Sequence, residues 1–277
     1  MIGIILVAIG AFFSEVSMSI GKVQVLRRRQ SIYTMGYLYL FWAAVILFGT
    51  AIIYPASFVF SFESLPTFIP RLGLEIVQMH VLMLAVVKVH RSSFGFIRTI
   101  TIPLLLVVDM VLGYAVGSWQ IIGMGVIFLT LILLFLNGRI KRKGAGLALF
   151  TAVNAVITIS LYKYNISHFN SVVGEQLIIF AVLLFYFSIL ARKFAREYPF
   201  KFLRKKIFFF QSFSEGLASV AGSFAYLFAP ASIILAASRA AAILWSIVAG
   251  NKLFNEHHLV IKLTAFAFLA AGIVLLI

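Results

Sequence analysis

"ASIILAASRAAAILWS", residues Ala231–Ser246, is a run of apolar and small side chains with one arginine, Arg239, near its centre. A soluble core rarely buries such a charge. At the centre of a bilayer it costs about 2.5–3.5 kcal/mol on insertion scales, so it belongs on a face turned to a bundle interior or a wet cavity. The rest of the chain shares this character. Of its 277 residues, 63% are hydrophobic and only 11% are charged, where soluble domains carry roughly a quarter charged residues. Those numbers describe an integral membrane protein.

The net charge of +15 does not point to nucleic acid. Its lysines and arginines cluster in short connectors between apolar runs, not on a basic face with a recognition motif. With no cysteine in the chain, disulfide, thiolate-metal and cysteine-nucleophile chemistry are excluded. The N-terminal stretch "MIGIILVAIGAFFSEVSMSIGK" has its basic residue after the apolar run and Glu15 inside it. It reads as a retained first helix, not a cleaved signal.

A helix needs about 20 mostly apolar residues to span a bilayer. Ten stretches qualify: 2–22, 32–56, 70–89, 93–114, 119–136, 144–163, 171–191, 207–228, 230–250 and 258–277. They are too long and continuous for β-barrel strands, so the fold class is all-α. Odd-numbered connectors hold nearly all the basic residues, the seventh with Arg192, Lys193, Arg196, Lys201, Arg204, Lys205 and Lys206. The even ones offer only Arg71 and Lys163. Lys and Arg collect on the cytoplasmic side, which puts the odd connectors there and both termini outside.

The basic linker "NGRIKRKGAG" (137–146) divides the chain into residues 1–138 and 144–277, five spans each. An odd number per unit inverts the second relative to the first, the geometry of inverted-repeat transporters. Unusual residues recur at a near-constant offset across the halves. Glu75 precedes Glu215 by 140 positions, Arg98 precedes Arg239 by 141, and Glu15 precedes Asn154 by 139.

At its end the chain resembles the drug/metabolite transporter superfamily in its ten-helix, EamA-like form. The resemblance rests on "SIILAASRAAAILWSIVAGNKLFNEHHLVIKLTAFAFLAAGIVLLI" (232–277), with Glu256 at the family's "G-E"-like position. A fainter copy runs from "LAVVKVHRSSFGFIRTITIPLLLVVDM" through "GSWQIIGMGVIFLTLILL", with Lys88 near the end of the third helix and Pro103 in the fourth. The first half lacks the matching glutamate, having "GYAVGSW" there. Family members carry basic residues after the second helix and keep their termini cytoplasmic; "SFESLPTFIP" (61–70) has no Lys or Arg.

The resemblance implies that helices one, three, four, six, eight and nine line a central cavity. The intramembrane polar residues fall on those helices, giving Glu15, Glu75, Arg98, Asn154, Glu215 and Arg239 as substrate-binding candidates. Arg239 offers a planar fork to a carboxylate or phosphate, or it forms an internal salt bridge with Glu215, as Arg98 does with Glu75. Glu15 and Glu215 are proton-coupling candidates, since burial raises a carboxyl pKa. His80 is a third, or a helix-to-helix hydrogen bond. Asp109 is the only aspartate, too few for the clustered ligands of a magnesium-dependent transferase. No G-x-x-x-x-G-K-[ST] motif is present, which excludes an ATP-driven pump within this chain. "GYAVG" spaces Gly113 and Gly117 one turn apart, a small-residue face on which helices slide.

The expectation is a plasma-membrane secondary transporter of a small metabolite, amino-acid-like or otherwise polar or amphipathic. It has no enzymatic activity, no cofactor, no metal and no nucleic-acid partner; its partners are the substrate and membrane lipids, as a monomer or a homodimer. The alternative is a flippase for a lipid-linked substrate, or a non-transporting membrane partner.

Overall fold

The computed structural model describes residues 2–111, 117–136, 143–229 and 231–276, with the backbone alone for 109–111 and 276. The Asp109 side chain, Gly113 and most of the basic linker therefore lie outside the described residues. What is described is all-helical. The long helices are α1 (Ile2–Leu26), α2 (Ile32–Ile53) and α3 (Leu65–Lys88), then α4 (Arg91–Arg98) and α5 (Thr101–Val111) in line. Next come α6 (Ser118–Leu136), α7 (Ala145–His168) and α8 (Val172–Leu190), the last ending in a π-turn at Ala191–Ala195. A single turn, α9 (Pro199–Phe202), leads to α10 (Lys206–Ala225), α11 (Ala231–Phe254) and α12 (Leu259–Leu276).

Among the described residues, eight helical segments are long and apolar enough to cross a membrane. Two of the ten expected spans fall short for different reasons. The apolar part of α12 covers only Leu259–Leu275. The 20 residues of α10 include Gln211, Ser212, Ser214, Glu215, Ser219 and Ser223, which lower its apolarity because it is wedged between α1 and α2. Outward faces are apolar: Ile121, Ile122, Leu129, Ile132 and Leu133 of α6 are all exposed, a belt that water would penalise and acyl chains would cover.

Several span boundaries differ from the sequence reading, with α1 running to Leu26 and α7 to His168, past the expected 22 and 163. The third helix begins at Leu65, five residues before the expected 70. Pro66 sits in its first turn, where a missing N–H is tolerated, while Pro70 lies inside the helix and leaves the Pro66 carbonyl without its intrahelical donor. The fourth span is broken after Arg98. Pro103 crowds the carbonyl four residues back, that of Thr99, and there the N–H groups of Thr99 and Ile100 bond only three residues back, to Phe96 and Ile97. The ninth continues to Phe254, one turn past the expected 250.

The two largest apolar clusters of the core lie in different parts of the bundle. One gathers Leu82, Met83 and Val86 of α3 with Met35 of α2 and Leu183 and Phe187 of α8. The other joins Ile127 of α6, Ile243 and Ile247 of α11, and Leu269 and Ile273 of α12. Helices α1, α7 and α10 run between these lobes. α1 packs on α10 and α11, α7 on α3 and α4, α2 on α8 and α10, and α6 on α12. Gly216 shows how close the α10–α2 approach is, since a Cβ there would lie 2.5 Å from Trp42 Cβ and 3.0 Å from the Ala43 nitrogen.

Candidate functional site

Between the lobes lies a cavity of about 210 Å³, walled by Glu15, Tyr39, Arg91, Arg98, Glu215 and Arg239 with small side chains around them. Its charged walls come from α1, α4, α10 and α11. A second cavity of about 220 Å³ shares Tyr39, Ser219 and Gly222 with it and adds Arg71, Glu75, Tyr162 and Tyr226 from α3, α7 and the end of α10. Glu215 stands midway along α10, so the first cavity is roughly 15 Å from either end of that helix.

Four of the six binding candidates, Glu15, Arg98, Glu215 and Arg239, thus meet at one cavity, and Glu75 lines its neighbour. Asn154 lines neither; it ties α7 to α3, its amide donating to Gln78 Oε1 at 3.0 Å and to the Leu74 carbonyl at 3.1 Å. His80 is also elsewhere. Its Nδ1 meets the Tyr186 hydroxyl at 2.8 Å, the helix-to-helix reading of this residue and away from both cavities. Tyr226 lines the second cavity, whereas Trp245 packs edge-on against Phe12 at 4.8 Å.

The salt bridges differ from both pairings considered from sequence. Glu15 is engaged by Arg91, with Nε 2.9 Å from Oε1 and Nη2 2.5 Å from Oε2, and Ser19 donates to the same carboxylate at 2.9 Å. A carboxylate engaged on both oxygens by one guanidinium is committed to an internal ion pair, which removes the geometric reason to read Glu15 as a free proton carrier. Arg91 is not legible as a site residue from sequence, because it stands in a basic connector where a lysine or arginine reads as a topology signal. It is 1% exposed. Glu75 lies 3.9 Å from Arg71, not beside Arg98, and Arg71 in turn holds Glu175 at 2.6 Å. Glu175 was missed as well; Asn165 and Asn170 also donate to it.

Glu215 and Arg239 do not pair either. The Ser14 and Ser219 hydroxyls stand 3.3 and 3.5 Å from Glu215 Oε1, the Tyr39 and Ser17 hydroxyls face the same carboxyl, and among the described residues the buried Oε2 has no partner with hydrogen-bond geometry. Among the described residues no carboxylate lies within salt-bridge distance of Arg98 or Arg239. The Nε of each is buried without a hydrogen-bond partner.

Both ends of the helix bundle are tied by polar contacts between connectors. At one, the Ser61 N–H donates to Asn170 at 2.8 Å, the Ser171 N–H donates to the Val59 carbonyl at 2.9 Å, and Thr67 donates to Asn165 at 2.5 Å. At the other, Glu256 accepts from the Arg91 N–H at 2.5 Å, the Ser92 N–H at 3.2 Å, the Ser92 hydroxyl and Lys262 at 3.1 Å. The carboxylate thereby caps the N-terminus of α4, where the helix dipole favours it. Burial pushes this carboxyl up, but the bonds from Ser92 and Lys262, the lysine charge and the Arg91 N–H outweigh it and hold the group below its ordinary value of 4.5. Lys22 donates to the Val89 carbonyl nearby and lies 5.1 Å from the Phe254 ring centre.

No protein-family model and no curated protein matches this chain. What the site does is therefore read from its own geometry.

Proposed function

We propose that this chain is a secondary transporter that moves a small polar or amphipathic solute across a membrane by alternating access. One observation carries the reading: a cavity midway along the helices is walled by ionisable side chains from both halves of the chain. Transporters bind their cargo at such a place, between two repeats and near the bilayer centre. Groups this expensive to bury are kept where they meet a solute or an ion.

The ten-helix, inverted-repeat arrangement is part of the proposal. Counted with α10 and α12, and with α4 and α5 as one broken span, the chain has two sets of five. Exchanging the sets converts the α1–α10 contact into α7–α3 and the α1–α11 contact into α7–α4, and it leaves α2–α8, α4–α11 and α6–α12 unchanged. All of these contacts are present. The α2–α10 contact departs from the pattern, being far more extensive than α8–α3. Ser31 and Ser171, 140 positions apart, each cap a helix by accepting from the N–H three residues on, at Thr34 and Gly174. Glu215 faces Ser14 of α1, and Glu75 faces Thr158 of α7, the same relation with the halves exchanged. These correspondences support the repeat. The charge bias supports a cell-membrane orientation with the basic connectors in the cytoplasm.

Because the chain has no cysteine, a cross-link at one end tests the reading cleanly. Ser61→Cys with Asn170→Cys joins connectors already in contact. Purified protein in sealed proteoliposomes should show saturable uptake of at least one solute from a metabolite panel. Oxidation of the cysteine pair should stop uptake, and reduction should restore it. Uptake indifferent to the cross-link, or none of any solute, sinks the proposal.

A further inference from the structure

Three features of the first cavity bear on what it holds. Arg239 is 93% buried, lines the cavity and has no carboxylate partner among the described residues. Arg98 lines the same wall, partly buried and likewise with no carboxylate within salt-bridge distance among the described residues, and the two guanidinium groups are near enough to repel each other. The fold brings them level deliberately close. A Cβ on Gly95 would overlap Ser246 Oγ and come within 3.5 Å of Ile243 Cα, so α4 and α11 touch at that point. The helices run antiparallel. Arg98 is one turn beyond Gly95 and Arg239 one turn before Ile243, which carries both in the same direction along the axis by about 5–6 Å.

The nearby ion pair does not quench them. Arg91 is spent on Glu15. Its guanidinium lies 5.3 Å from the centre of the Phe94 ring, while that of Arg98 lies 5.2 Å from the same ring. The wall therefore carries three guanidiniums against at most two negative charges, those of Glu15 and Glu215, a surplus of at least one positive charge. A buried cation without a counter-ion is strongly unfavourable, and two facing one another more so. The usual purpose of such a pair is to grip an oxyanion, for which the guanidinium fork has matching geometry.

We infer that Arg98 and Arg239 form an oxyanion subsite, and that the solute is a small organic monoanion held by its carboxylate or phosphate group between them. The inference rests on the transport reading for calling this ligand a cargo; binding itself does not depend on it. The solute's other end faces Glu215 Oε2, Tyr39 and the small-residue wall of α10, which admits a hydroxyl or amine there and no second anion.

Thermal unfolding of the full-length protein in detergent, followed by intrinsic fluorescence at fixed ionic strength, tests this directly. Sodium pyruvate and sodium dimethyl phosphate are the anionic probes, both monoanions at neutral pH, and acetamide and ethylammonium chloride the neutral and cationic ones. At least one anion should raise Tm saturably, by about 5–10 °C at a hundredfold excess over Kd. Which anion does so assigns carboxylate or phosphate. Arg98→Gln and Arg239→Gln should each abolish the shift, and each should unfold no lower than wild type without ligand, because an unpaired buried charge has been removed. Arg27→Gln, at an exposed position, should leave the shift intact. The inference is overturned by absence of a saturable anion effect, by a shift retained in both arginine variants, or by a large fall in their unliganded Tm. Pyruvate or dimethyl phosphate binding without flux in proteoliposomes would defeat the transport reading and leave this site standing. Flux of a neutral solute with no anion shift would do the reverse.

Discussion

Replacing Arg71 by methionine should be among the most damaging single changes in the chain. The side chain is 2% exposed and its Nη1 lies 2.6 Å from Oε1 of Glu175, which is wholly buried. The guanidinium also stacks 4.6 Å from the Tyr162 ring centre and stands 3.9 Å from Glu75. Removing it leaves Glu175 with the Asn165 and Asn170 amides alone, and leaves the Glu75 and Glu175 carboxylates near each other without a cation between them. Breaking a buried pair from one side costs about 3–5 kcal/mol. For a chain of this size that corresponds to a fall in Tm of roughly 6–20 °C. The partner change, Glu175→Gln, is also destabilising, because it strands the guanidinium. The double variant Arg71→Met/Glu175→Gln buries no lone charge from this pair and should recover much of the loss. A coupling of about 2 kcal/mol or more is expected from the cycle, little affected by salt because the pair is dry. Thermal unfolding in detergent of the four proteins measures it. A single-variant loss below about 1 kcal/mol, or strictly additive losses, would refute the account of this end of the bundle.

Other outcomes follow from the same contacts. Glu256 has its folded pKa held below 4.5, so its contribution is complete above the ordinary carboxylate range and lost as pH falls through the depressed value; Tm of wild type should drop in acid, with a smaller drop in Glu256→Gln. Gly216→Ala forces a methyl between α10 and Trp42 and should cost about 1–3 kcal/mol, whereas Gly73→Ala, with nothing within 4 Å of the added carbon, should be neutral or slightly stabilising by Tm. Gly95→Val pushes α4 off α11 and should weaken the anion-induced Tm shift without touching either arginine.

Much of this fold is written in local sequence. Runs of apolar residues give the helices, and the basic connectors mark their ends, because both are local properties of length and charge. The break after Arg98 was foreshadowed only by Pro103, and its place depends on which carbonyl the ring crowds. Arg98 and Arg239 stood out at their offset of 141, and the structure places both on one wall. Partner choice was not legible. Arg91 meets Glu15, and Arg71 meets Glu175, through helix rotations set by packing at Gly95, Gly216 and the two apolar clusters, none of which a linear pattern records. One available signal went unread: "QS" at 30–31 and "NS" at 170–171 place an amide and a capping serine before corresponding helices. In the structure both amides tie connectors down, Gln30 to Gly21 and Gln211, Asn170 to Ser64 and Glu175.

The distribution of satisfied and unsatisfied charge separates the parts of this molecule by purpose. Arg71, Glu175, Glu256 and Lys262, toward the ends, are held in ion pairs; among the described residues Arg98 and Arg239, in the middle, have no carboxylate within salt-bridge distance, and one oxygen of Glu215 has no hydrogen-bond partner. On the transport reading this is the arrangement alternating access requires. Opening either end means parting a few hydrogen bonds between connectors, each worth about 0.5–1.5 kcal/mol net, or up to about 3 where a charge takes part. That is a sum of several kcal/mol, the size of differential binding energy needed to move a two-state equilibrium from one side to the other. An anion gripped by two otherwise stranded guanidiniums supplies energy of that size, provided the grip is tighter in one state than in the other. Had the central arginines been paired internally, a solute would first have to break those pairs, and little would remain to bias the ends. Their isolation makes the cavity costly when empty and ties the energy of filling it to the contacts at its two mouths.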